Sequence, residues 1–229
     1  MGSNYKTAYS VDMVFCIDAT GSMGNCIDMV KKNALNFYQD LSNAMATKSK
    51  NIDQLRVRVI AFRDYLADGE KAMMTAGFFS LPEQSEDFKK CVQSIVADGG
   101  GDEPEDGLEA LAYAIRSSWT TEGKKRRQVI VVWTDASTHE IGFGSKAANY
   151  PKNMAKSMAE LSEWWGDSQL SSEYIDRNAK RLLLFAPDRP GWSTISENWD
   201  NVIHYPSEAG KGLEEMDYRT ILDTISNSI

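Results

Sequence analysis

Val11-Asp-Met-Val-Phe-Cys-Ile17 is a mostly apolar run that stops abruptly at Asp18-Ala-Thr20-Gly-Ser22-Met23, an acid followed by two hydroxyl residues at alternate positions. A strand buried on both faces reads as near-continuous apolar sequence, so the pattern predicts a strand, a polar loop and then the N-terminus of an amphipathic helix. In open α/β sheets ligands sit outside the carboxyl ends of such strands, where Asp18, Thr20 and Ser22 fall. The same residues would also serve as a helix cap and as partners for loop amides.

The pattern recurs. Gln128-Val-Ile-Val-Val-Trp-Thr134-Asp135 is a second buried strand that ends in a hydroxyl and an acid. Two parallel strands that both end in Asp bring like charges to one sheet edge, which is costly without a counter-ion. Between them, Asp98-Gly-Gly-Gly101-Asp102-Glu103-Pro104-Glu105-Asp106 packs five acids into nine residues around three successive glycines. Such a loop can turn sharply and approach a ligand, and its acids need solvent, a helix N-terminus or a cation; Glu103 and Asp106 also suit an acidic first turn of the next helix. A hard divalent cation is the simplest remedy. Mg²⁺, with Mn²⁺ or Ca²⁺ as substitutes, would be held by Asp18, Thr20, Ser22, one acid of the Gly-rich loop and Asp135. Thr134 and His139 stand beside Asp135, and Asp64 lies in Arg63-Asp64-Tyr65 at another strand end. His139 and His204 are the only histidines, too few and too separated for a zinc cluster, so His139 reads as a loop residue or one that supports the cation site from behind.

The 229 residues suffice for one α/β domain, 1–229, whose first 8–10 residues form a loose segment. A net charge of -8 argues against a general nucleic-acid binder, and Lys124-Lys-Arg-Arg127 reads as a solvated loop. Cys16, Cys26 and Cys91 form no pairing motif, which favours reduced thiols and a cytoplasmic setting. No stretch is apolar enough to span a membrane, and no export signal is visible.

Periodicity predicts a helix from Met23 to Ala46, a strand from Gln54 to Phe62 and an antiparallel sheet edge within Met73–Leu81. Helices follow at Ser85–Val96, Leu108–Trp119 and Lys152–Trp165, with another within Ser171–Lys180. A strand at Arg181–Ala186, a Pro-, Gly- and Trp-rich loop, a strand at Asn201–Tyr205 and a helix from Gly212 to Ser228 complete the chain. The alternation predicts an α/β fold: a Rossmann-like, doubly wound, mostly parallel central sheet with one antiparallel edge strand and helices on both faces.

Asp18-Ala-Thr20-Gly-Ser22 resembles the Asp-x-Ser/Thr-x-Ser motif of von Willebrand factor A domains, and Asp135 matches the third loop of their metal-ion-dependent adhesion site. The resemblance covers nearly the whole chain. The middle loop is similar to the Asp-x-Pro-Glu loop of integrin β-subunit I-like domains, which makes Glu105 the acid of the central metal site and Asp102 a candidate for a neighbouring cation site, with Asp64 beside it. Asn25 and Cys26 stand where integrin-type acids bind a further ion, so that ion is not expected. Gly100 replaces a side-chain donor of the neighbouring site. Arg63-Asp64-Tyr65, the acidic loop and Trp119 look closest to the intracellular von Willebrand A domains of bacteria and of α-kinase-associated proteins, often found in signalling settings. The resemblance implies a binding module and not an enzyme, in which the cation coordinates an Asp or Glu of a protein partner and the last helix responds. Two other readings stand beside it. An Asp at a strand end followed by Thr also resembles a Mg²⁺-dependent haloacid-dehalogenase-like phosphotransferase, although Thr20 occupies the place of its second acid-base group. A metal-independent scaffold of the same fold would use Trp164-Trp165 or Pro190-Gly-Trp192, which read equally as core and as a loop anchor. The oligomeric state is left open.

Overall fold

The computed structural model describes residues 7–101, 103–166, 171–213 and 217–229. Its elements in chain order are β1 (Thr7–Asp18), α1 (Gly24–Asn33), α2 (Phe37–Thr47), β2 (Lys50–Phe62), the single turn α3 (Tyr65–Asp68), β3 (Met73–Thr75), β4 (Phe79–Leu81) and α4 (Ser85–Gln93). There follow α5 (Gly107–Ile115), β5 (Arg126–Trp133), α6 (Met158–Trp165), β6 (Lys180–Pro187), α7 (Trp192–Asn198), β7 (Val202–Ser207) and α8 (Tyr218–Ser228). Six strands run in the order β3-β2-β1-β5-β6-β7, and β4 also pairs with β2. The pairs β1·β2, β1·β5, β5·β6 and β6·β7 are parallel, while β3 and β4 lie antiparallel along β2.

Alternation in β1 assigns its side chains to two apolar layers. Val11, Met13, Phe15 and Ile17 pack with Ile27 of α1, Phe37, Leu41 and Met45 of α2, Phe88 and Val92 of α4 and Ile221 and Ile225 of α8. Val14 and Cys16 point the other way, onto α5, Leu161 and Trp165 of α6 and Trp192 and Ile195 of α7. The charge within β1, Asp12, is buried and gripped by Arg56, whose Nε and Nη2 donate to its two oxygens at 2.8 and 2.6 Å. The mostly parallel sheet with helices on both faces is the predicted one, but its antiparallel edge is two short strands.

Several boundaries move for local reasons. The long first helix is two, because Asn33 turns its amide back onto the Met29 carbonyl (2.8 Å) and the Asn36 amide bonds Asn33 O (3.1 Å) in a tighter turn. α6 starts only at Met158: Ser157 accepts from Glu160 N (3.2 Å) while Glu160 accepts from Lys156 N (2.8 Å), a reciprocal cap. No helix forms within 171–180, where Ser172 Oγ accepts from Tyr174 N (2.9 Å) and Asp176 from Asn178 N (2.8 Å). α4 and α5 are shorter than predicted, α8 begins at Tyr218 capped by Asp217, and the Pro-Gly-Trp stretch contains α7. The expected loose segment over the first residues falls outside the described residues up to residue 6, and β1 begins at Thr7.

The first residue of α5 is where the second layer tolerates least. A Cβ on Gly107 would lie 2.5 and 2.8 Å from the Trp192 ring. Gly107→Ala is expected to lower the unfolding free energy by about 1–3 kcal/mol in a denaturant titration. Gly77→Ala, where a Cβ would meet nothing within 4 Å, is expected to leave the midpoint unchanged.

Candidate functional site

β1 and β5 lie side by side at the centre of the sheet, yet β1 is flanked on its other edge by β2 and β5 by β6. The strand order therefore reverses between them, which opens a crevice at their carboxyl ends. Ile17 pairs with Trp133, so Asp18 and Thr134 leave the sheet level with one another.

Asp18 is wholly buried. Its Oδ1 accepts from Thr20 N at 2.9 Å and Thr20 Oγ1 at 2.6 Å, and its Oδ2 from Thr134 Oγ1 at 2.7 Å. Ser22 Oγ stands 3.4 Å from Thr20 Oγ1 and donates to Asp135 Oδ1 at 2.9 Å. The other Asp135 oxygen accepts from Gly212 N at 2.7 Å. Glu105 completes the group because its main chain is laid along the third loop: Glu105 N donates to Ser137 O (3.0 Å) and His139 N to Glu105 O (2.9 Å). Gly100, at φ +80°, passes so close that a Cβ there would lie 2.8 Å from Glu105 Oε1 and 2.9 Å from Thr20 Cγ2. A cleft of about 230 Å³ opens on Thr20, Ser22, Gly100, Glu105, Asp135 and Gly210.

Burial pushes the Asp18 carboxyl up to about 6, even though Thr20 and Thr134 oppose it by bonding the ionised form. Glu105 is pushed up to about 9, first by burial and then by the charges of Asp18, Asp64, Asp68 and Asp106. Its Oε2 is buried without a hydrogen-bond partner, and no ion pair among the described residues involves Asp18, Glu105 or Asp135. An orphaned carboxylate oxygen, two hydroxyls and two further carboxylates from three loops form an all-oxygen donor set, which suits a hard divalent cation.

Of the neighbouring candidates, Thr134 serves Asp18. Asp64 caps α3, accepting from Ala67 N at 2.8 Å, and is not paired with Arg63. Arg63 instead donates to the carbonyls of Ala19 (2.9 Å), Asp98 (2.6 Å) and Lys71 (2.6 Å), bracing the Gly-rich loop. His139 Nδ1 faces Asp106 Oδ1 at 3.2 Å and Asp64 Oδ2 at 3.6 Å. Asp102 lies outside the described residues. Asp106, for which an ordinary acidic first turn was one of the open readings, is fully buried. Glu109 was missed: it accepts from Gly142 N (2.9 Å) and Tyr150 OH (2.8 Å), and its signal was an acid inside the apolar run Leu108–Ile115. Trp165 and Trp192 are core residues, whereas Trp164 is half-buried beneath Arg116 and Tyr174.

Alpha-protein kinase vwkA of Dictyostelium discoideum is 26% identical over 146 residues, which are 64% of this chain and 21% of that protein, so the chain spans about a fifth of that relative's length. Among solved structures, the pilus adhesin SpaC of Lactobacillus rhamnosus GG matches 95% of this chain and 30% of its own at 14% identity and a TM-score of 0.50. Proximal thread matrix protein 1 of the mussel byssus matches 97% of this chain and 49% of its own at 13% identity, also with a TM-score of 0.50. Both share the fold. The family model of the von Willebrand factor A domain matches residues 12–149, more than half of the sequence, and the chain belongs to that family.

Proposed function

We propose that Asp18, Thr20, Ser22, Glu105 and Asp135 hold a divalent cation, Mg²⁺ or Mn²⁺, and that the chain uses it to bind a protein partner through an Asp or Glu side chain. The observation that carries this reading is Glu105 Oε2, a buried carboxylate oxygen with no partner among convergent oxygen donors. Domains of this family commonly mediate protein–protein interaction. When bound, the ion supplies a concentrated positive charge with room for one more carboxylate.

The chain's own residues do the rest. Thr20 and Thr134 fix the orientation of Asp18, Ser22 is the exposed donor at the mouth of the cleft, and Gly100 leaves space for approach to Glu105. Gly212 N on Asp135 Oδ2 and Gly210 N on Asp135 O (2.9 Å) tether the 210–212 segment to the third loop. An enzyme of the haloacid-dehalogenase type would want an acid-base group two residues after Asp18. The Thr20 hydroxyl stands there and donates to Asp18 itself, which favours a binding module. No helix among the described residues is long and apolar enough to cross a membrane.

Calorimetric titration of chelator-stripped protein is expected to give saturable binding, tighter for Mn²⁺ than Mg²⁺. Asp18→Ala should abolish Mg²⁺ binding, and Glu105→Gln should weaken it at least about tenfold. Undiminished affinity in a folded Asp18→Ala protein would overturn the assignment.

The pH dependence follows from the raised carboxyls. Folded Asp18 and Glu105 keep protons up to about 6 and 9, whereas the unfolded chain has lost them by about pH 5. The native state therefore binds more protons, and the metal-free protein loses stability as pH rises from about 4 towards 9. Thermal melts in chelator should show a lower midpoint at pH 8 than at pH 6, with the difference reduced by Mg²⁺. A pH profile indifferent to Mg²⁺ would remove the ion from this cluster.

A further inference from the structure

Beside the all-oxygen cluster, three side chains from three different loops converge: Asp64 after β2, Asp106 at the start of α5 and His139 after β5. We infer that Asp64, Asp106 and His139 Nδ1 form a second metal site, one that takes a borderline divalent transition ion of the Zn²⁺ class. The ligand atoms all lie within 4.8 Å of one another. His139 Nδ1 is 3.2 Å from Asp106 Oδ1 and 3.6 Å from Asp64 Oδ2. Two ligands about 2.1 Å from one ion and 90–110° apart are themselves separated by about 3.0–3.4 Å, and the two distances from His139 Nδ1 lie within a few tenths of an ångström of that range.

The rest of each ligand is already fixed. Tyr65 N donates to Asp106 Oδ2 at 2.6 Å and Ala67 N to Asp64 Oδ1 at 2.8 Å, leaving the opposite oxygen of each carboxylate to face the imidazole. The His139 ring is stacked on Phe143, centroids 3.9 Å apart and planes 16° from parallel. Supporting bonds of this kind orient metal ligands. All three side chains are buried, with 7%, 3% and 0% exposure for His139, Asp64 and Asp106. A cleft of about 520 Å³ lined by Thr138, His139, Lys156 and Gly191 gives access to the imidazole.

A structural hydrogen bond explains the group less well than an ion does. Nδ1 carries one proton and faces two carboxylates, so it can answer Asp106 at 3.2 Å but leaves Asp64 beyond hydrogen-bond range at 3.6 Å. A second observation points the same way. Glu109 Oε2, on the first turn of α5 that Asp106 begins, is fully buried with no hydrogen-bond partner. The negative charge here exceeds what one imidazole can offset. One nitrogen with two carboxylates selects Zn²⁺-class ions, in contrast to the hard ion favoured by the oxygen-only set, and three protein ligands leave an open position. The count of only two histidines is no obstacle, because one suffices when two carboxylates complete the set.

The test is a Zn²⁺ titration of chelator-stripped protein in excess Mg²⁺, with a chromophoric zinc chelator as competitor and circular dichroism to verify folding. Wild type and Asp18→Ala are expected to bind one Zn²⁺ with similar affinity, and Asp64→Asn and His139→Gln to bind at least about tenfold more weakly. Asp64→Asn retains the oxygen that caps α3, so this variant decides alone if His139→Gln does not fold. No Zn²⁺ binding by wild type, or binding lost in Asp18→Ala and kept in Asp64→Asn, would overturn the second site. Mg²⁺ calorimetry on the same variants reports the oxygen-only cluster separately.

Discussion

Buried carboxylates without matching cations dominate the upper edge of this sheet. Asp18, Asp64, Glu105, Asp106, Glu109 and Asp135 are all nearly inaccessible, and among the described residues the ion pairs of this set involve only His139, with Asp64 and Asp106. A folded chain can hold such a set by protonation, by hydrogen bonds from hydroxyls and amides, or by bound cations. Burial favours the protonated forms of Asp18 and Glu105, and Thr20, Thr134, Ser22 and several backbone amides donate inward. The sheet makes this concentration inevitable, since two central strands that end level with one another deliver their terminal residues to one crevice.

The fold was legible wherever periodicity is strong. β1 and β5 each carry a mostly apolar run, and the acids that follow those runs could be placed together by topology alone. What escaped was local competition. Asn33 divides the first helix, Ser157 delays α6, and Ser172 and Asp176 convert a helical pattern into turns, each by offering a side chain to the backbone. α7 was hidden by Pro190-Gly191, which reads as loop although Trp192 behind it is anchored by its Nε1 on Ala136 O at 3.1 Å.

The candidate site was legible to a different degree. Asp18, Thr20, Ser22 and Asp135 line up on spacing and strand ends, while Glu105 was singled out from the Gly-rich loop only through the family resemblance; the structure brings these five to one crevice. Asp106 and Glu109 did not announce themselves, because an acid in a first helical turn is commonplace at a surface. Only tertiary structure reveals that α5 starts beneath three loops, so that its first-turn acids are sealed in.

Arg63 links these observations. Its Nε reaches the carbonyls of Ala19 and Asp98, and its terminal nitrogens those of Lys71 and Val96, at 2.5–2.9 Å. The fork spans three chain segments while offering its charge to carbonyl dipoles and, among the described residues, to no carboxylate. A lysine at this position would carry the same charge but gather its donors at a single point, and could not reach those segments together. The residue that looks like a counter-ion to the acidic crevice is therefore a mechanical strut, and its identity is dictated by the shape of the guanidinium and not by its charge.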